Sequence, residues 1–549
     1  MSKRIAVIGA GLTGTSFLWQ LASRLEDSKP QEASIDIFER HADPGPGLPH
    51  NPLYVLPCHI TNMCARDMGI VAEDPRDFQT WVDAWRARAI GADRSDFPEA
   101  EQANTPDPDC QHYPRAWMGE YLKARFTAAV GRIEAAGVRV RVRTRCEVTD
   151  LRLRDSSFEL SCTPETGSPA PHERYDRVLL ATGHWFSPQT EPRVIPSPWP
   201  ASRLAQQIPP GAEVAVLGSS LSAIETVLAL TLEGTFSRAN SGRLVCRPGP
   251  QPRRLTLLSR RGQLPRVRGR LGTRVNQVLT PEALRRLIRE RHGQLTLAEL
   301  ASLLEAELGL AYGNPWDWRS LSLPRGGAEA ALRQSLQLAC SGDGPGGEVL
   351  WQTVLAPALS LASALRRLAP AGAGASITTG PLFFLHGPLT AANAEKLLAL
   401  IDAGLVRIVT LGQSYRFESR EQGVIIEQSG AAGVEQAWHF DWLVDARGQP
   451  GAYAASPEPL ARALVAHGEL ALSTGLFAGL RIDQRAAKWT AGDLECARIP
   501  APLCHRNDDA QPDARCQHGP RPGSGGLARQ RPDHRLAAAV IKAGGRAAR

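Results

Sequence analysis

Two short runs of glycine and small polar residues, each entered from an apolar strand, carry the chemistry of this chain. The first is Gly9-Ala10-Gly11-Leu12-Thr13-Gly14, reached through Ile5-Ala6-Val7-Ile8. A strand that runs directly into Gly-x-Gly-x-x-Gly reads as a dinucleotide-binding turn. Gly9 makes the tight turn, Gly11 lets the backbone approach a pyrophosphate, and Gly14 lets the following helix pack close to the strand. The helix N-terminus then presents free N–H groups and the positive end of its dipole to phosphate. A second strand, Ile35-Asp36-Ile37-Phe38, ends in Glu39-Arg40. A carboxylate there accepts hydrogen bonds from a ribose diol, so the adenosine on this turn carries no 2′-phosphate.

The second run is Gly218-Ser219-Ser220-Leu221-Ser222-Ala223, entered from Val214-Ala215-Val216-Leu217. Ser220 stands where a second glycine is expected. The strand that follows, Leu255-Thr256-Leu257-Leu258-Ser259, ends in Arg260-Arg261 instead of an acid. A planar guanidinium binds phosphate bidentately, so this half suits a 2′-phosphorylated dinucleotide.

The elements that must position these turns are those of an α/β protein. A chain of 549 residues exceeds one core and predicts two or three lobes. Helical spacing places Phe78, Trp81, Val82 and Trp85 on one face between Asp77 and Arg88, and predicts a second helix over 116–129. Residues 138–142 alternate as a half-exposed strand. Tyr175 to Leu180 reads as a buried strand ending in Ala181-Thr182-Gly183. Residues 275–375 read mainly as helices and loops, including 284–310 and 346–368. The stretch Asp441 to Gly448 echoes the Ala-Thr-Gly strand and reads as the chain returning to its first domain.

Composition narrows the partners. No apolar run approaches the roughly 20 residues of a membrane span, and Met-Ser-Lys-Arg leads straight into a strand, which predicts a cytoplasmic protein without a secretory leader. Ten cysteines show no Cys-x-x-Cys and no metal-ligand spacing, so they read as reduced thiols, with no metal expected. The net charge of +7 is local. From Cys496 onward nine arginines and one lysine face four aspartates and no glutamate, leaving residues 1–495 near neutrality. Nucleic-acid binding is therefore not expected of the body.

Together these residues resemble the flavoproteins that group the FAD-dependent urate hydroxylase with the L-aspartate N-hydroxylase. The resemblance covers about residues 3–483. It rests on the first glycine turn, His59-Ile60-Thr61-Asn62-Met63, Tyr113-Pro114-Arg115 running into Gly119-Glu120-Tyr121-Leu122, Ala181-Thr182-Gly183, Gly218 to Ala223, Ser259-Arg260-Arg261-Gly262, and the Asp441 to Gly448 stretch. It implies a Rossmann-like FAD-binding domain (1–205 and 386–495) interrupted by an NAD(P)H-binding domain with a mostly helical insertion (206–385). A disordered basic tail occupies 496–549. It also implies FAD and NADPH as cofactors, and oxygenation of a small nitrogen-containing substrate by reduced flavin and molecular oxygen.

The expected cofactor-binding residues are Gly9, Gly11, Gly14, Glu39, Arg40, Thr182, Gly183, Gly218, Ser219, Ser220, Ser222, Arg260 and Arg261. Asn62 and Arg115 are the candidates beside the flavin ring or the substrate. A turn residue and a helix-start charge are the plainer readings of the two. His59 reads as structural. The alternatives to a monooxygenase are an NAD(P)H-dependent flavin reductase or dehydrogenase, and a non-catalytic nucleotide-binding flavoprotein decayed from one.

The family pattern dissolves after Ile482-Asp483. Residues 496–549 have no aromatic residue and cannot bury enough apolar surface to order themselves. A reading-frame shift accounts for this: codons available for Leu503 to Ala510, read one nucleotide later, encode Ala-Ile-Gly, the turn that a flavin ring requires. A genuine basic tail is the other account.

Overall fold

The computed structural model describes residues 3–26, 32–88, 106–154, 157–165, 172–186, 188–290, 297–316, 326–359, 388–430, 433–448, 456–467, 471–473, 479–481 and 539–542. Two five-stranded sheets organise them.

In the first sheet the order is Ala539–Lys542, Arg177–Leu180, Lys3–Ile8, Ala33–Phe38, Arg139–Arg143. The last four run parallel, with Ile8 level with both Phe38 and Leu180. Parallel strands are buried on both faces, which is why they read as near-continuous apolar runs. One face is covered by helices Leu12–Glu26 and Arg115–Ala135, packed over Val7, Leu18, Ile35, Ile37, Phe126 and Ile133. On the other lies an antiparallel layer, Cys146–Arg154, Ser157–Pro164 and Glu173–Tyr175, with Phe38 and Tyr175 edge to face between. Helix Asp77–Arg88 forms as its spacing predicts. Phe78 and Val82 are buried against Tyr121, and Trp81 stacks on Trp85 with centroids 5.3 Å apart.

The second sheet, all parallel, has the order Val406–Thr410, Arg254–Ser259, Glu213–Leu217, Trp442–Asp445, Val194–Ile195. Helices Leu221–Leu230 and Ala391–Asp402 share its core. Four helices, Pro281–Glu290, Leu297–Tyr312, Gly327–Ser341 and Leu350–Leu359, form the expected helical insertion. Leu284, Leu304, Leu308, Trp351 and Val354 lie at the centre of its own core. A three-stranded antiparallel sheet, Tyr415–Arg420, Gly423–Gly430 and Gly433–Phe440, packs on the far end.

Three expectations are corrected. The chain does not return to the first domain at 386. Residues 391–445 complete the second sheet, where Trp442–Asp445 lies between Glu213–Leu217 and Val194–Ile195. That last strand also brings the second domain's start forward from 206. The return comes with helix Pro459–Ala466, whose Leu460 and Leu464 enter the first domain's core. An apolar strand ending in a turn fits either sheet, and its local sequence does not choose between them. Nor is 496–549 wholly without structure: Ala539–Lys542 pairs antiparallel with Arg177–Leu180. The rest of that tail, including the proposed frameshift at 503–510, lies outside the described residues.

Candidate functional site: two nucleotide turns at adjoining clefts

Each glycine turn is built by close backbone approach. Gly9 has φ +98°, and a Cβ there would sit 2.2 Å from the Ala181 carbonyl oxygen. A Cβ on Gly14 would sit 2.1 Å from the Gly9 oxygen. Neither position accepts a side chain without moving backbone. A Cβ on Gly11 would sit 3.3 Å from the Cα of Gly47, and the Gly45 N–H donates to Ala10 O at 2.7 Å. The second turn repeats the device: Gly218 has φ +127°, with a Cβ position 2.9 Å from the Ala446 oxygen. Asp441 to Gly448 thus does for the second turn what Tyr175 to Gly183 does for the first.

The first turn opens into a cleft of about 1100 Å³ lined by Gly9, Gly11, Glu39, Arg40, Thr182 and Gly183, with Cys146, Val148 and Trp185. Glu39 is buried, and its carboxylate accepts N–H bonds from Ala10 and His41, both at 2.9 Å. These bonds fix its position and leave each oxygen a lone pair for a further donor. Arg40 pairs with Glu458 at 2.7 Å, just before the returning helix. Gly14 does not line this cleft; it seats the helix behind it. Glycines 9 and 14 that leave no room for side chains and a held carboxylate at the cleft fit an adenine dinucleotide.

A second cleft, about 800 Å³, adjoins the first through Leu48, Pro49 and His184. Leu221, Ser222, Asp445 and Gly448 line it from the second domain, and Arg115, Trp199 and Phe186 complete the wall. Ser220 holds the N-cap position of helix Leu221–Leu230 without a side-chain capping bond. The Ser219 hydroxyl donates to Gln263 O at 2.6 Å, tying the turn to the loop that follows Arg260 and Arg261. Strand Arg254–Ser259 lies beside Glu213–Leu217, so both arginines stand next to the glycine turn. Among the described residues neither is engaged by a carboxylate.

The two other candidates do not meet in these clefts. Asn62 is half-buried in the loop after the Ile60–Pro114 bridge and lines neither cleft. Arg115 lines the second, but its charge is met by Glu225 at 2.6 Å, with the guanidinium 5.7 Å from the Trp199 ring centroid. His59 is buried beneath this pair. Its Nδ1 accepts the Leu56 N–H, so Nε2 carries the proton and donates to Glu225 O. Burial lowers its pKa and keeps it neutral, in keeping with a structural histidine. Glu225 was missed in the sequence. Its signal is the one charged residue inside the mostly apolar helix Leu221–Leu230.

The cysteines depart from the reduced reading. Cys64 and Cys110 form a disulfide, with His112 Nε2 3.4 Å from the Cys110 sulfur. Residues 46 apart meet because the Ile60–Pro114 bridge lays their two segments side by side, which spacing alone does not reveal.

Residues 6–185 match the family model described as FAD-NAD(P)-binding. The chain is 26% identical over 486 residues to the uncharacterized protein YdhS of Escherichia coli K12, covering 81% of this chain and 83% of that protein. Among solved structures it is similar to the ornithine N-hydroxylase KtzI of Kutzneria sp. 744 (TM-score 0.43, 14% identity, 88% of each chain). It is also similar to the ornithine hydroxylase PvdA of Pseudomonas aeruginosa (TM-score 0.46, 10% identity, 89% of this chain and 91% of that one). No helix among the described residues is long and apolar enough to cross a membrane. Residues 6–185 form a Rossmann-like domain that matches the FAD-NAD(P)-binding family model, which fits FAD and NAD(P)H as cofactors.

Proposed function

We propose that this protein is a single-component monooxygenase that takes FAD on its first turn and NADPH on its second, and hydroxylates a small nitrogen-containing substrate. The observation that carries this reading is the pair of adjoining clefts, each fed by its own glycine turn, which share Leu48, Pro49 and His184. Reduced flavin supplies the electrons that activate oxygen.

The chain's own residues do the rest. The Gly9–Gly14 turn receives pyrophosphate on backbone N–H groups, and Glu39 accepts the ribose hydroxyls. Arg260 and Arg261 receive the 2′-phosphate of NADPH. Trp199, Phe186, Pro196 and Pro198 give the second cleft an apolar wall that excludes water. Arg115, held by Glu225 and Trp199, keeps the two domains in register at that wall. No side-chain nucleophile is needed, because the protein's task is orientation and water exclusion.

The test is the visible spectrum of the purified full chain, followed by NADPH oxidation under ¹⁸O₂ with a panel of small amines. Bound flavin and labelled oxygen in a hydroxylated product are expected. Flavin-dependent NADPH oxidation without label in any product would favour a reductase, and absence of flavin after FAD addition would remove the enzyme reading altogether. Replacing Arg260 and Arg261 together by Gln is expected to raise KM for NADPH at least about tenfold and leave KM for NADH nearly unchanged, since each lost charge-assisted bond is worth about 1.5–3 kcal/mol.

A further inference from the structure

We propose that Cys64, Cys110 and His112 form a zinc site when the Cys64–Cys110 disulfide is reduced, so that this corner of the flavin domain alternates between a disulfide and a metal clasp. The ligand atoms of all three residues lie within 4.8 Å of one another, and both cysteines are buried.

The histidine is held as a ligand would be. His112 Nδ1 lies 2.9 Å from Thr61 O, and a carbonyl only accepts, so Nδ1 carries the proton. The lone pair is therefore on Nε2, the atom 3.4 Å from the Cys110 sulfur. A backbone carbonyl that fixes the tautomer and leaves the other nitrogen facing the metal is the usual outer support of a zinc-bound imidazole. Two thiolates and one imidazole are a donor set that suits Zn²⁺, with a fourth position left for water.

The seam does not depend on the disulfide for closure. Thr61 N–H donates to Tyr113 O and Ala65 N–H to Gln111 O, both at 2.8 Å. Arg66 pairs with Asp107 at 2.7 Å. Opening the sulfur–sulfur bond thus leaves the ligands assembled. Charge also balances: two thiolates neutralise the metal, which matters because the Arg268 guanidinium, whose buried Nε has no hydrogen-bonding partner among the described residues, faces His112.

The step consumes a dithiol. Its two electrons and two protons convert the disulfide to two thiols, and the dithiol leaves as its own disulfide. Zn²⁺ then displaces both thiol protons to solvent and forms two Zn–S bonds and one Zn–N bond.

The experiment uses the full-length protein, reduced with dithiothreitol, freed of reductant under argon and given zinc, with metal content read by mass spectrometry. One tightly bound zinc per chain is expected in the reduced protein and none at this site in the oxidised one. Cys64→Ser and Cys110→Ser should abolish it, and His112→Gln should weaken it at least about tenfold. In parallel, the unsubstituted reduced chain is alkylated with and without zinc and its peptides are mapped. Zinc should protect Cys64 and Cys110 and leave Cys58 and Cys340 reactive, a result that no misfolded variant can imitate. Equal zinc content in reduced wild type and Cys64→Ser overturns the proposal. So does unchanged affinity in His112→Gln, or alkylation of Cys64 and Cys110 indifferent to zinc.

Discussion

Single atoms decide whether the first turn exists. A methyl group at Gly14 would lie 2.1 Å from the Gly9 carbonyl oxygen, and both partners are backbone. Relief requires moving helix Leu12–Glu26 off the strand or opening the turn. Gly14→Ala is therefore expected to cost about 1–3 kcal/mol, the range for overpacked sites, and to release flavin into the filtrate on ultrafiltration. Gly183 provides the contrast, because it has φ +73° but nothing within 4 Å of its Cβ position. Gly183→Ala should cost the left-handed strain, about 1–2 kcal/mol, without the backbone clash of Gly14→Ala. Thermal unfolding followed beside flavin absorbance separates the two outcomes. These glycines were legible in the sequence because their constraint comes from backbone a few residues away or from the adjacent strand. Glu225 and the Cys64–Cys110 pair were not, since each depends on a partner delivered by a different segment.

Whole elements hang on a few held carboxylates, and Glu307 shows how. It is fully buried on helix Leu297–Tyr312, and its Oε2 accepts the N–H groups of Gln277, Val278 and Leu279 at 2.6–3.0 Å. Arg274 meets the other oxygen at 3.2 Å. Burial alone would raise its pKa. The three N–H donors and the guanidinium outweigh that and hold it below the ordinary 4.5. A depressed folded pKa means that the stabilisation is complete above the unfolded value. It is lost as pH falls from about 4.5 through the lower folded value. Glu307→Gln should thus destabilise the chain by about 2–3 kcal/mol at pH 7, and the gap to wild type should close as pH drops below 4.5 in urea unfolding. A gap independent of pH would assign the loss to packing. The helical character of this insertion was readable in part: 284–310 reads as one stretch where the structure has two helices, and Gly327–Ser341 was not singled out. Its anchor was not readable, because three consecutive N–H groups in a loop carry no sequence signature. Strand Trp442–Asp445 went to the second sheet for a related reason: its apolar run satisfies either core, and only the neighbouring Val214 to Leu217 register decides.

At the scale of the molecule, the question is what keeps two nucleotide clefts aligned. The described residues place one charged contact at their boundary: Arg115, at the start of a first-domain helix, and Glu225, within a second-domain helix, at 2.6 Å. The side chains are only 14% and 7% exposed, so neither charge is well served by water if the other is removed. His59 ties the backbone of Glu225 to the first domain, and the Trp199 ring contacts both the Arg115 guanidinium and the His59 ring. Removing one partner strands the other, whereas removing both removes the stranded charge as well. Arg115→Met and Glu225→Leu should each cost about 2–4 kcal/mol. The double variant should cost less than their sum, with a coupling of about 1–3 kcal/mol in a double-mutant cycle. Neither residue lines the flavin cleft, so flavin content should be retained in all three variants. Hydride transfer from NADPH to flavin, read as the rate of anaerobic bleaching, should slow at least about tenfold in the single variants and recover in part in the double. That pattern belongs to an alignment device. A residue that binds substrate would leave anaerobic bleaching unchanged, and one that binds only NADPH would raise its KM without slowing the saturated rate.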